Sequence, residues 1–511
     1  NNDRLKMARW PNDETDTAML KYENVTGDKN TASLGYPDAE GRTKKWLPQA
    51  VSDDGLVSAQ DAYHWYSNIF QIKALDAENR HFTLKQAMQN NPQDTYNFFF
   101  FNILEEIDMP GESFLDRENK VIYFYPATDL DGADIEVSSS DKTMISISGA
   151  SNLRFEGLEF KYTKGMLATV INADNVTFEN CVMAHSSNMA GNFAGTNIKI
   201  DRCHIYDTGY GGITIAGGDR ENCISSGNEI VNSVFHDNAI YRRSYATSIQ
   251  VQNAFGVTIK NNLLYNNPHQ ILGLGTSGQV SDVLIEGNEI HDAVTEHGDM
   301  GAIYWGRNPA MLGITIKNNF FHDNGNIYNG GWNQSVFCDD GGYGAVVTGN
   351  IFYRGTLTAD RGGSTSSYPF KTHGGSFFQL ENNVFVDNPS SAYFQPWNGV
   401  LTGSKQGRFV TYNYGINLTN TNGKLSVKAG GLNWSAFMEP FVENAAWKEH
   451  YKGTIWENYF NIFNKERREK LVELAAQGDA QGVVDYITPF TPGATNVFDK
   501  NLMVKIANEN G

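Results

Sequence analysis

Acidic and aromatic side chains concentrate in two stretches of the sequence, HDAVTEHGDMGAIYWGRN at 291–308 and VFCDDGGYG at 336–344. The first holds Glu296, His297, Asp299, Tyr304, Trp305 and Arg307; the second holds Asp339, Asp340 and Tyr343. Carboxyl groups brought together in this way suit cleavage of a glycosidic bond. One protonates the leaving oxygen while its partner, about 5–10 Å away, acts as base or nucleophile. Crowding of like charges raises the pKa of one member and so supplies the acid form. Asp299 with Asp339 or Asp340 is the expected pair, and Glu296 stands in reserve. The rings of Tyr304, Trp305, Trp332 and Tyr343 would offer flat surfaces for sugars to stack on. Further candidates for holding a substrate are Asp219 and Arg220 in AGGDRE (216–221), His269 in NNPHQI (266–271), His297, and His373, beside Lys371 in FKTHGG (370–375). Each has a plainer reading. An Asp before Gly or Asn is commonly a turn residue, and Asp207, Asp237 and Asp323 read as turn residues. His236, His291 and His322 repeat in register and read as scaffold, whereas His269 and His373 do not repeat.

The element that must position these residues is a repeat. A nine-residue phrase begins at NLRFEGLEF (152–160) and returns as NVTFENCVM (175–183), NIKIDRCHI (197–205) and GNEIVNSVF (227–235). It continues through GVTIKNNLL (256–264), DVLIEGNEI (282–290), GITIKNNFF (313–321), GAVVTGNIF (344–352) and FFQLENNVF (377–385). The fourth position is always apolar: Phe155, Phe178, Ile200, Ile230, Ile259, Ile285, Ile316, Val347 and Leu380. Apolar–polar alternation, a small bend residue and a second β-rich run describe a strand, a corner and another strand. Copies 22–33 residues apart match the turns of a right-handed parallel β-helix, stacked at about 4.8 Å. A leucine-rich repeat is disfavoured because its fixed leucine pattern is missing.

Stacking makes columns. Asn262, Asn288, Asn319, Asn350 and Asn383 share position seven; Asn180, Asn232, Asn261, Asn318 and Asn382 share position six. Such columns can bond amide to amide from coil to coil. Cys181 and Cys203 also share position seven, and buried free thiols are the favoured reading over a disulfide. Later coils are longer than the first ones, with the excess after the phrase. Stacked loops on one flank would form a groove fit for an extended chain of sugars, with Asp299 one coil from Asp339 and Asp340.

Outside the repeat, residues 1–140 are expected to form a β-rich cap or side domain, with PGESFLDRENKVIYFYP (110–126) as strand, turn, strand. The solenoid itself is placed at 141–433. Residues 434–511 read as a helical extension over its end, with Asn464 capping KERREKLVELAA (465–476). The net charge of −18 disfavours nucleic acid as a partner. No apolar run reaches the roughly 18 residues of a membrane span. Four cysteines lack both zinc spacing and the density of a disulfide scaffold. Cofactors are not required by the two-carboxyl chemistry, and no metal ligands are assigned, although clustered acidic loops could hold a structural calcium ion.

A family resemblance adds to this. ARWPN (8–12), EEIDMPGESFLDRENKVIYFYP (105–126), GGDR (217–220), PHQ (268–270), DMGAIY (299–304), DDGGYG (339–344) and THGG (372–375) are together similar to secreted bacterial β-helix proteins related to glycoside hydrolase families 120, 136 and 141. The resemblance implies hydrolysis of a poly- or oligosaccharide by paired acids, and a secreted, periplasmic or outer-surface location. On the matching motifs it implies Asp299 as one catalytic carboxyl and Asp339 or Asp340 as the other. Similar proteins carry coils ahead of ARWPN, so a removed segment or a separate chain is expected to supply them; oligomeric state stays open. Two rival classes remain. A polysaccharide lyase would use a base and cations such as Arg220, Arg242, Arg243 or Lys371, and a glycan-binding solenoid would need no carboxyl pair.

Overall fold

A computed structural model describes residues 4–506 apart from 13–17, 63, 276–278, 327–331, 358–366, 396–407, 422, 431–433, 435–437 and 491–495. The chain forms a parallel β-helix. Its strands assemble into an eighteen-stranded sheet and a ten-stranded sheet, every neighbouring pair parallel. The larger sheet bends so that long strands such as Ala168–Glu179 and Ile249–Lys260 serve two faces of the coil. Each phrase seen in the sequence runs from the second of these faces, round a corner, onto the ten-stranded sheet. Its anchors stack in register: Phe155 on Phe178, Ile200 on Ile230, Ile285 on Ile316, Val347 on Leu380. From Phe178 onward these anchors are fully buried and form the centre of the core.

The two asparagine columns do different work. At position seven, the side-chain oxygen of each Asn accepts the backbone N–H of its counterpart one coil earlier, at 2.8–3.0 Å from Asn262 through Asn288, Asn319, Asn350 and Asn383 to Asn501. At position six, Asn180, Asn232, Asn261, Asn318 and Asn382 sit at φ between 52° and 57°. That left-handed bend turns the corner and is one that Asn tolerates better than most side chains. Cys181 and Cys203 are buried free thiols, and burial pushes the Cys203 thiol up to about 12.

The expectation about the C-terminal flank needs correction. Residues 434–511 are not a terminal extension: Val497–Asp499 and Leu502–Val504 return to the solenoid and pair with Gln379–Glu381 and Val384–Val386 as its last strands. The expected boundary at 433 lies outside the described residues. The helices between Arg408 and Ile487 belong to an insertion that packs on the flank, where Trp447, Tyr459 and Phe463 share a core with Ala310, Leu312, Tyr343 and Phe377. Phe498 and Met503, which pair with the buried Leu380 and Phe385, are 40% and 49% exposed.

Residues 4–124 form a side domain. An eight-stranded antiparallel sheet there encloses its own core of Tyr22, Tyr36, Trp46, Phe82, Phe98 and Phe100. The hairpin read at 110–126 is present as Glu112–Asp116 paired with Val121–Phe124. This domain docks on the loops of the middle coils. Ser67 and Ser244 exchange hydrogen bonds, the Gly298 N–H donates to the His64 carbonyl at 2.9 Å, and Arg4 binds Asp207 at 2.8 Å.

Candidate active site

The strands Met300–Gly306, Asn333–Asp339 and Tyr368–His373 lie side by side in successive coils, with Tyr304, Phe337 and Lys371 in one row. Gly306 pairs with Asp339, and a Cβ on Gly306 would lie 2.1 Å from the Asp339 carbonyl oxygen, so only glycine permits this approach. The coils thereby bring the DMGAIYWGR, DDGG and KTH motifs together.

Asp339 is buried and fully engaged. Its Oδ2 accepts the Tyr304 hydroxyl at 2.8 Å; its Oδ1 accepts His373 Nδ1 at 2.9 Å and the Asp340 N–H at 2.8 Å. Asp340 is more open. Arg307 Nε donates to its Oδ2 at 3.0 Å, and His373 Nδ1 lies 3.3 Å from its Oδ1. Burial alone would raise the Asp340 pKa, but the bonds from His373 and Arg307 outweigh it and hold the carboxyl below its ordinary value. Burial likewise opposes the His373 charge, yet the two carboxylates prevail and push its pKa up to about 9.

Asp299 behaves in the opposite way. It lies at the entrance to the Met300–Gly306 strand, and Lys371 Nζ is 3.8 Å from its Oδ1. Burial raises the Asp299 pKa; Lys371 pulls it back, and the negative charges of Asp339 and Asp340 add to the rise. Burial also lowers the Lys371 pKa, against the pull of Asp299 and Asp339. The three acids, the lysine and the histidine thus share one electrostatic site. Asp299, Arg307 and Asp340 all hold positive φ, at 53°, 62° and 43°. For Arg307 this is strained backbone of the kind that gathers at working sites.

A cleft of 440 Å³ opens beside this cluster, lined by Thr214, Arg242, Tyr245, Gln250, Tyr304 and Arg307 among others. Trp332 stands half-exposed at the cluster, its ring centroid 5.8 Å from Lys371 Nζ. Tyr245 was missed from the sequence. It belongs to the site because Arg307, Asp339 and Asp299 all act on its hydroxyl, whose pKa burial raises.

Several sequence candidates lie elsewhere. Glu296 is buried in an ion pair with Arg243, which donates Nε at 3.0 Å, so neither residue faces the cleft. His269 and His297 are buried at the seam with the side domain. His269 Nε2 donates to the Trp65 carbonyl at 2.9 Å; His297 Nδ1 donates to the Pro268 carbonyl at 3.1 Å, and its Nε2 faces the Ser67 hydroxyl at 3.0 Å. Burial pushes the His297 pKa down to about 4, so it is a neutral structural pin. Arg220 is sealed under the helical insertion, its guanidinium 4.1 Å from the Phe441 ring centroid and its carbonyl accepting Trp447 Nε1 at 2.6 Å. Asp219 is the plain turn residue, accepting the Asn222 N–H at 3.1 Å. Trp305 points into the solenoid core and Tyr343 into the core beneath the helices, so neither ring can stack on a substrate.

Among the described residues, two groups of three or more side chains could hold a metal ion: Asp339 with Asp340 and His373, and Glu289 with His291 and His322. Both include imidazole, which suits borderline transition ions better than a calcium ion held by acidic loops. No helix of the described residues is long and apolar enough to cross a membrane.

Residues 121–290 match the family model for a right-handed β-helix region. No curated protein matches the sequence. Among solved structures, one titled glycoside hydrolase has 13% identity and a TM-score of 0.52, covering 78% of this chain and 76% of its own. The A-module of the Azotobacter vinelandii mannuronan C-5 epimerase AlgE4 has 14% identity and a TM-score of 0.33, over 48% of this chain and 61% of its own. The Streptococcus pneumoniae surface adhesin PfbA has 12% identity and a TM-score of 0.26, over 58% and 84%. At these identities the likeness concerns the fold, and the fold is a right-handed parallel β-helix.

Proposed function

We propose that the protein is a glycosidase that hydrolyses a poly- or oligosaccharide lying across the coils, outside the cell or in the periplasm. Asp299 serves as general acid and Asp340 as base or nucleophile. The observation that carries this reading is the divergence of two carboxyls in one site: burial raises Asp299, while Arg307 and His373 hold Asp340 down. Asp299 gives its proton to the glycosidic oxygen as the bond to the anomeric carbon breaks. The carboxylate left behind lies 3.8 Å from Lys371, so the cation stabilises a charge that appears only as the reaction proceeds. Asp340 either attacks the anomeric carbon or takes a proton from the attacking water. Asp339 accepts too many bonds to move and is a positioning residue for Tyr304, His373 and Asp340. Trp332 and Tyr245 supply surfaces for sugar rings. No cofactor is needed for these steps. The structure titled glycoside hydrolase, which shares the fold over most of its length, is consistent with this reading.

The test is release of reducing sugar from a broad panel of plant, algal and host glycans. Asp299→Asn and Asp340→Asn should each lower turnover by about 10²–10⁴-fold with glycan binding kept. Binding without turnover by the wild type on every glycan would instead make it a glycan-binding solenoid. A second reading, β-elimination of a uronate-containing polymer, draws on Lys371, whose pKa burial lowers toward that of a useful base. Products with the ultraviolet absorbance of an unsaturated uronate would establish that reading and overturn hydrolysis.

A further inference from the structure

The ten-stranded sheet carries a second chemically capable cluster, on its outer surface and apart from the sheet that holds the candidate active site. Glu289 and His291 lie two residues apart on the Glu289–Ala293 strand and share its outer face, while Ile290 between them is buried. The next coil sets His322 directly over His291, the two rings nearly parallel with centroids 4.5 Å apart. His322 Nε2 is then 3.2 Å from Glu289 Oε1. One donor atom from each of the three residues falls within 4.8 Å of the others.

The surroundings orient both imidazoles as metal ligands. His291 Nδ1 meets Asp292 Oδ2 at 2.7 Å, and His322 Nδ1 meets Asp323 Oδ2 at 3.0 Å. Both aspartates sit at positive φ, 48° and 52°, which folds each carboxylate back beside the ring preceding it. Arg354 fixes Asp323 further at 3.0 Å. A carboxylate that accepts the Nδ1 proton leaves the Nε2 lone pair free and more basic, the arrangement that supports ligating histidines in zinc sites. The side chains of Glu289, His291 and His322 are 49%, 19% and 18% exposed, so an ion can enter from solvent.

We propose that Glu289, His291 and His322 bind one divalent ion of the zinc class. Two imidazoles and one carboxylate match the softness of Zn²⁺ and its neighbours and not that of Ca²⁺ or Mg²⁺. Three protein ligands leave a fourth position to water. The ion ties a residue pair of one coil to the coil above it, and so clamps the solenoid where its middle coils meet.

Calorimetric titration of the chelator-stripped full chain with zinc chloride tests this, with calcium chloride as the contrast. The wild type should bind zinc and not calcium at this cluster. His322→Phe and His291→Phe, which keep a flat ring in the stack, should lower that affinity on the order of 100-fold; Asp292→Asn, which only loosens His291, should lower it about tenfold. Asp340→Asn should leave this binding event intact, since it alters only the other cluster of possible ligands. A rise in melting temperature with zinc should appear in the wild type and vanish in His322→Phe, whose metal-free melting should match that of the metal-free wild type. Absence of zinc binding by the wild type, wild-type affinity in both Phe variants, or loss of the event in Asp340→Asn alone would overturn the proposal.

Discussion

Burial of Asp299 disfavours its charged form, and Lys371 offsets that only in part. Because its folded-state pKa lies above the unfolded one, the group contributes stability below the unfolded value and loses it as pH rises through the folded value. At any pH above the unfolded value this shift therefore costs the fold stability. Asp299→Asn should raise the melting temperature at pH 7 by about 1–3 °C while removing turnover, a trade of stability for activity. A fall in both would give Asp299 a structural role instead. His373 makes a companion prediction. Its pKa of about 9 exceeds the ordinary value near 6.5, so its contribution is full below about 6.5 and disappears as pH rises through about 9. Denaturant midpoints measured from pH 6 to 10 should decline in the wild type and decline less in His373→Gln. Asp299, Asp339 and Asp340 could be brought together on paper because coil stacking converts sequence position into neighbourhood. Glu296, His269 and His297 could not be told apart from them, since a polar residue in a long loop reads the same whether it faces a cleft or a second domain. What separates them is burial by the side domain, which no local pattern records.

The corner of each coil was legible in finer detail than the site. Asn at position seven repeats because one amide can satisfy both a buried N–H and a backbone carbonyl of the coil before it. At Asn319 the oxygen accepts the Asn288 N–H at 2.8 Å and Asn288 Nδ2 at 2.9 Å, and its Nδ2 donates to the Ile285 carbonyl and to Asn350 Oδ1, both at 3.0 Å. Asn319→Ala should leave that buried N–H without an acceptor and lower stability by about 2–3 kcal/mol, read as a shift in denaturant midpoint. The same change at Asn318, whose role is the bend at φ 56° on the surface, should cost about 1 kcal/mol, the penalty for a left-handed Ala. Equal losses at the two positions would mean that the columns do one job. The repeat also shows where reading stopped short. The copy holding Phe498 and Asn501 was passed over because the helical insertion separates it from the phrase at 377–385, and a period cannot be counted across such a gap.

Among the described residues both flanking units lean on the side of the solenoid, and the side domain leans on the loop that leads into the candidate site. His64, Gln60 and Ser67 hold residues 296–298: the Gly298 N–H binds the His64 carbonyl at 2.9 Å, Gln60 Nε2 binds the Glu296 carbonyl at 3.3 Å, and His297 Nε2 faces the Ser67 hydroxyl at 3.0 Å. The next residue is Asp299. A general acid works only if its proton lies within hydrogen-bond reach of the leaving oxygen, and a misplacement of about 1 Å can cost on the order of 10²-fold in rate. On the proposed reading the side domain is thus a brace for the acid, at a distance from the reacting atoms. His297→Leu keeps the buried volume but removes both polar contacts of the ring. It should lower kcat by about 10–100-fold with little change in KM, since His297 does not itself touch Trp332 or Tyr245, the surfaces proposed to hold the sugar. Hydrogen exchange at 296–300 should quicken in the same variant, whereas the coils around Phe178 and Ile200 should keep their protection. Arg220→Ala supplies the contrast, because it loosens Trp447 and Phe441 on the helical insertion and leaves the seam alone. It should speed exchange in the helices from Glu439 to Ile487 and spare kcat. If His297→Leu frees the loop yet turnover holds, the brace is ornamental to catalysis and the side domain must be there for some other partner.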